Sequence, residues 1–173
     1  MSDEPRVWIG CIQCYNEGRL VGRWQSASDA SEATPEQIHQ CPTHHEELWV
    51  MDHEGFHGLL DGECSPAEAQ EIAEIIEGLP DYQPVEAFVA FVRNYGNPVT
   101  DDDALSNFEE AYCGEYDNEA EYAEQIAHDL GLVSLEASWP NGYIDWNRAA
   151  RDLFMDGYWS AKSDSGIYVF RDL

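Results

Sequence analysis

The sequence is poor in positive charge. Only 8 of its 173 residues are Lys or Arg, against 35 Asp or Glu. Lys162 is the one lysine, and Arg93 is the one base between Arg23 and Arg148. A chain of formal net charge −27 repels nucleic acid and anionic membrane, and it favours basic partners. Long apolar runs are missing too. The amino-terminal MSDEPRVWIG holds no apolar stretch of signal-peptide length, and no segment approaches a membrane span. Five scattered cysteines, an odd number, point to free thiols in a reduced, cytoplasmic protein rather than to a disulfide scaffold. No nucleophile motif, Gly-rich phosphate loop or basic patch occurs, and no pair of carboxylates stands out for acid–base work.

What is present is enough apolar material to fold. Hydrophobic residues make up 43% and aromatics 12%, which separates this chain from a disordered acidic tail. The charge is concentrated: residues 1–60 carry −7, residues 61–130 carry −18 and residues 131–173 carry −2. Within the middle segment, EEAYCGEYDNEAEYAEQIAHDL (109–130) holds eight acids and no base, yet also three tyrosines and a regular apolar set. A helix that repels itself this strongly needs a use for its charge.

The order of patterns predicts an α+β fold with short antiparallel sheets and acidic helices. RVWIGCIQCYNEGRLVGRW reads as two strands joined in a hairpin by the turn Asn16-Glu17-Gly18. TPEQIHQ reads as a short helix with Thr34 as N-cap and Pro35 first, and EELWVMDHEGF as a third strand. SPAEAQEIAEIIEGL opens with a capping box, Ser65 and Glu68, and lines Ile72, Ile75, Ile76 and Leu79 along one face. Residues 84–95 form a more apolar helix. DDDALSNFEEAYCGEY reads as another helix, capped by Thr100 or Asp101. Asp117 is the expected cap of a helix over 118–130 that stacks Tyr122, Ile126 and Leu130. In this reading Tyr112, Gly114 and Tyr116 shape the link between two helices. A helix DWNRAARDLF and a hairpin around KSDSG close the chain. Composition breaks near Gly62 and Asn97 divide it into an N-terminal sheet lobe (1–61), a central helical lobe (62–97) and a C-terminal α/β lobe (98–173).

Two metal signals invite a test. His53-Glu54-Gly55-Phe56-His57 matches H-E-x-x-H, which in metalloproteases places two histidines on one helical face. Gly55 and Gly58 oppose a helix there, and the strand-like LWVM leads directly into the motif. Cys11-x-x-Cys14 with Cys41-x-x-His44 has zinc-ribbon spacing, but residues three apart on a strand face opposite sides and cannot share an ion. Asp101-Asp102-Asp103 lacks the EF-hand pattern, since Leu105 occupies a ligand position, and suits a helix N-terminus instead. The expectation is no metal and no cofactor.

The remaining signal is a set of carboxylates on the solvent side of folded helices. Glu68, Glu71, Glu74 and Glu77 would advance along a helix axis by about 4.5 Å per step, compared with about 3.4 Å per phosphate along one strand of a duplex. A net charge of −27 equals that of about 46 Å of duplex DNA. Three readings compete: a protein that imitates DNA toward a DNA-binding enzyme, an acidic-surface halophile protein of other function, and a zinc-binding protein or metalloprotease. Halophilic acidity should spread over the whole chain, whereas residues 131–173 are near neutral.

Four ordered motifs then carry a resemblance. YNEGRLVGRW, DHEGF, FEEAYCGEYDNEAEYA and IDWNRAARDLF occur in the order and spacing of the ArdA family of antirestriction proteins, over nearly the whole chain. Where that family has a Leu-Leu…Pro-Glu stretch, residues 130–144 read LGLVSLEASWPNGYI and lack the Pro-Glu. Cys11 and Cys14 are not part of the family pattern. The resemblance implies an elongated homodimer of three small α/β lobes per chain, acting in the host cytoplasm. It implies no catalysis and no binding to nucleic acid or membrane. Instead, an acidic DNA mimic would occupy the DNA-binding groove of type I restriction-modification enzymes, on their methyltransferase core. The candidate phosphate-mimicking carboxylates are Glu68, Glu71, Glu74, Glu77, Asp101, Asp102, Asp103, Glu109, Glu110, Glu115, Asp117, Glu119, Glu121 and Glu124.

Overall fold

The computed structural model describes residues 4–96, 98–101, 103–134, 136 and 138–173. It divides into two compact units: the described residues of Met1–Val85 with Asn97–Asp101, and those of Glu86–Gly96 with Asp102–Leu173. The segment 62–97, expected as a central lobe, contributes one helix to each.

The first unit is built on a three-stranded antiparallel sheet. Its strands are β1 (Arg6–Cys11), β2 (Gly22–Ser26) and β3 (Leu48–Glu54), in the order β2-β1-β3. The central strand alternates as a half-buried strand should: Val7, Ile9 and Cys11 are buried against the core. On the other face the Trp8 indole lies over Gly10 and Gly22, where an added Cβ would come within 2.5 and 2.4 Å of the ring. The two glycines are the floor for the indole. A helix α1 (Ile12–Asn16) interrupts the expected hairpin, so β1 and β2 pair in register but are not joined by a tight turn. Helix α2 (Pro35–His39) starts with the full capping box of Thr34 and Gln37.

Helix α3 (Pro66–Gly78) packs on the 3-10 segment Ala27–Glu32 and on β3. Ser65 accepts a hydrogen bond from the Glu68 amide at 3.2 Å. Its buried face is Ala69, Ile72, Ala73 and Ile76, while Ile75 is only half-buried. The small alanines, not a third isoleucine, let the helix sit close to the 3-10 segment.

The second unit is α4 (Val85–Tyr95), α5 (Ala104–Ala111), β4 (Tyr112–Tyr116), α6 (Glu119–Asp129), α7 (Trp146–Met155), β5 (Tyr158–Lys162) and β6 (Ile167–Arg171). Its antiparallel sheet runs β4-β6-β5. The chain is therefore α+β. An aromatic cluster fills the core: Phe170 stacks on Trp159 at 4.1 Å, and Phe91, Phe108 and Tyr112 surround it at 5.7 to 6.3 Å. The segment YCGEY is strand rather than helix, paired to β6 with a bulge between Tyr112 and Gly114. Tyr112, Gly114 and Tyr116 thus do link two helices, α5 and α6, but as a strand of the sheet. Helix α5 begins after Asp103, whose side chain makes no capping bond, so neither Thr100 nor Asp101 is the cap. In α6, Tyr122 is buried against Phe154 and Tyr158, but Leu130 is 66% exposed and leaves the expected stack.

Gly166, in the β5–β6 hairpin, holds that hairpin against the chain between β4 and α6. A Cβ there would lie 2.2 Å from the Tyr116 carbonyl oxygen and 2.9 Å from Asp117 Cα. Both obstacles are backbone, so the hairpin itself must move. Gly166→Ala is expected to destabilise the unit by about 1–3 kcal/mol in urea unfolding. Gly78→Ala, at a helical position where no atom lies within 4 Å of the added methyl, is the control expected to be neutral or slightly stabilising. Equal stabilities for the two variants would refute this account.

Candidate functional site

The acids of α3 lie where helical geometry puts them. At about 100° per residue, Glu68, Glu71, Glu74 and Glu77 sweep about half the circumference, centred opposite the buried face. All four are exposed. Two are held by neutral donors: Ser28 Oγ donates to Glu77 at 2.8 Å, and Gln70 Nε2 donates to Glu74 at 2.8 Å. Gln70 is itself anchored, its Oε1 accepting from the Ser31 amide at 3.0 Å. Asp101, also exposed, belongs to this unit.

In the second unit, α5 buries Ala104, Phe108 and Ala111, which leaves Glu109 and Glu110 on its solvent side. Asp103 is exposed at the start of this helix, and Asp102 lies outside the described residues. Glu115 projects from β4 and accepts hydrogen bonds from the hydroxyls of Ser163 and of Ser165, the latter at 2.6 Å. Those two donors hold its carboxyl below the ordinary carboxylate range. Asn118, not Asp117, caps α6, its Oδ1 accepting from the Glu121 amide at 3.0 Å. The Glu121 carboxylate reaches back to accept from the Asp117 amide at 2.6 Å. Glu124 is exposed and lies 3.8 Å from the mostly buried His128 imidazole. Glu119 departs from the set: it is half-buried and accepts from Ser160 Oγ of β5 at 2.8 Å. Sequence spacing had placed it with its neighbours, but at N1 of α6 it points toward the sheet.

Glu74, Glu77, Glu115, Glu119 and Glu121 are thus fixed by hydroxyls, an amide side chain or a backbone N–H, none of which cancels their charge. The arginine–glutamate pairs Arg6–Glu54 and Arg19–Glu17 use acids outside the candidate set. The arrangement keeps negative charge at defined positions. Among the tyrosines beside it, burial pushes the Tyr112 phenol up to about 12. Burial also raises Tyr122, helped by hydrogen bonds with Cys113 and Tyr158, so these rings stay neutral.

The metal signals resolve differently from their spacing. His53 and Glu54 end β3, and Gly55, His57 and Gly58 all have positive φ, so H-E-x-x-H is a strand followed by a turn. Phe56 is its buried anchor. Cys11 and Cys14 do not lie on opposite faces of a strand as expected, because β1 ends at Cys11 and α1 begins at Ile12. That corner turns both thiols the same way. Cys41 and His44 are exposed and do not join them; the imidazoles of His39 and His45 do, and the ligand atoms of Cys11, Cys14, His39 and His45 all lie within 4.8 Å of one another. Burial, then the neighbouring Cys11, pushes the Cys14 thiol up.

No helix among the described residues is long and apolar enough to cross a membrane. No curated protein matches the chain. The family model described as antirestriction protein (ArdA) matches residues 7–167, which spans both units and every motif named above. With acids held outward on α3, α5, β4 and α6, and that match running nearly end to end, the chain belongs to the ArdA family of antirestriction proteins.

Proposed function

We propose that this protein inhibits type I restriction-modification enzymes by occupying their DNA-binding groove as an acidic mimic of duplex DNA. It acts as a homodimer and catalyses nothing. The observation that carries this reading is the way the carboxylates are held. Neutral donors fix Glu74, Glu77, Glu115 and Glu121 without discharging them, so these four are ordered before a partner arrives. Preorganisation lowers the ordering cost of binding. The partner's groove, lined with Lys and Arg to receive phosphates, supplies the opposite charge. Two chains carry −54, the charge of about 27 base pairs.

The test is competition between this protein and a labelled duplex for a purified type I methyltransferase core, over a range of salt. The protein should displace DNA with one dimer per core, the dimer's mass being measured by light scattering. Its affinity should fall less steeply with salt than that of the duplex. DNA gains affinity by releasing condensed counterions, whereas a folded protein with spaced carboxylates condenses fewer. Failure to displace DNA at any salt concentration would overturn the reading.

A further inference from the structure

We propose that Cys11, Cys14, His39 and His45 form a structural zinc site in the first unit. Their spacing, C-x2-C followed by H-x5-H, falls within the ranges that zinc sites use. The geometry is closer to coordination than to hydrogen bonding. His45 Nδ1 lies 3.2 Å from Cys11 Sγ and 3.5 Å from Cys14 Sγ, and His39 Nε2 lies 4.0 Å from Cys14 Sγ. A tetrahedral zinc with ordinary bond lengths has S···N edges of about 3.5 Å and S···S edges of about 3.8 Å.

Thiol–imidazole hydrogen bonds account for at most two of these three contacts. His45 Nδ1 has a single lone pair and can accept from only one of the two thiols, and the His39 contact left for Cys14 is long at 4.0 Å. Two sulfurs converging on one nitrogen, with a second imidazole beside them, are what a shared ion would organise. The Cys14 amide also points at Cys11 Sγ, 3.5 Å away, as a backbone donor to a thiolate would. Binding displaces one proton from each thiol, and Zn²⁺ with two thiolates and two neutral imidazoles has no net charge. That neutrality suits two fully buried sulfurs.

Four protein ligands fill the tetrahedron and leave no open position, so the site is structural rather than catalytic. It would tie the corner after β1 to the last residue of α2 and to the irregular chain that leads into β3. Residues 40–47 have no regular secondary structure of their own. A metal clip explains what fixes them. The inference is independent of the antirestriction reading, and its test does not measure inhibition.

Protein purified without a polyhistidine tag should retain about one zinc per chain through gel filtration, measured by elemental analysis. Cobalt exchanged into it should show thiolate-to-metal charge transfer and the strong visible bands of a tetrahedral site. X-ray absorption should give two sulfur and two nitrogen neighbours. Chelation should lower the melting temperature by about 10 °C or more. Cys14→Ser and His45→Gln should lose the metal, while Cys41→Ser and His44→Gln keep it. Should Cys14→Ser fail to fold, the cobalt and X-ray absorption spectra of the unaltered protein decide the matter alone. Wild-type protein that is folded with less than about a tenth of an equivalent of zinc and that yields no cobalt spectrum would overturn the proposal. A Cys11–Cys14 disulfide in protein isolated under reducing conditions would overturn it as well.

Discussion

A protein carrying Glu115→Gln, Asp117→Asn, Glu121→Gln and Glu124→Gln together is expected to keep its fold and inhibit measurably more weakly, while each single change is nearly silent. The amides preserve the local bonding. A Gln oxygen at position 115 can still accept from Ser163 and Ser165, and one at position 121 can still accept from the Asp117 amide. What disappears is charge. One exposed ion pair contributes about 0.2–1 kcal/mol. Four removed together weaken binding by about 1–4 kcal/mol, from several-fold to several hundred-fold. Stability in urea should not fall, because the region from α5 to α6 is relieved of mutual repulsion. Competition binding against a methyltransferase core reads the first effect and denaturation the second. If one neutral substitution abolished binding, inhibition would depend on a point contact and not on a distributed surface. If the fourfold variant bound as tightly as wild type, these acids would not be part of the interface.

The solvent-facing placement of most of these acids is legible in the sequence, because exposure follows helical periodicity. Helices α3, α5 and α7 carry strong 3.6-residue periodicity, so their solvent faces follow from their buried ones. Strand β3 and the β5–β6 hairpin were equally plain. What escaped was fixed by partners distant in sequence. YCGEY continues a helical pattern locally, and only its pairing with β6, some fifty residues later, makes it a strand. Intrinsic preference is weak for such a segment, and the sheet decides. Glu119 looks like any other first-turn acid until Ser160 of β5 is placed beside it. Asn118 took the capping role expected of Asp117 because either side chain can cap, and the chain entering from β4 sets the register.

The cysteine corner shows the same limit more sharply. IGCIQCYN is apolar enough to pass for a continuing strand, and that single assignment put the two thiols on opposite faces. The true break comes at Cys11, whose Sγ lies 3.5 Å from the Cys14 amide. A helix of five residues gives too little periodicity to be read. The spacing to Cys41 and His44 was then the wrong match. His39 and His45 join the corner only through the placement of α2 and the loop after it.

Phe170→Ala should be the most damaging single substitution in the second unit. Phe170 is fully buried and touches rings from α4, α5, β4 and β5: Phe91, Phe108, Tyr112 and Trp159. Truncation removes the stacked partner of Trp159 and leaves a cavity walled by rigid rings, which cannot collapse to fill it. Losses of about 3–5 kcal/mol follow for Phe→Ala at such sites. A domain's whole stability is about 5–15 kcal/mol, so the unit becomes marginal. Glu109, Glu110 and Glu115 ride on α5 and β4, which pack against this residue, so inhibition should fall along with stability. The fourfold acidic variant should do the opposite and bind more weakly without losing structure. Hydrogen exchange distinguishes them: protection across 104–116 and 158–171 should collapse in Phe170→Ala and remain in the acidic variant. A Phe170→Ala protein with wild-type protection there would show that the ring cluster does not hold the acidic elements in place.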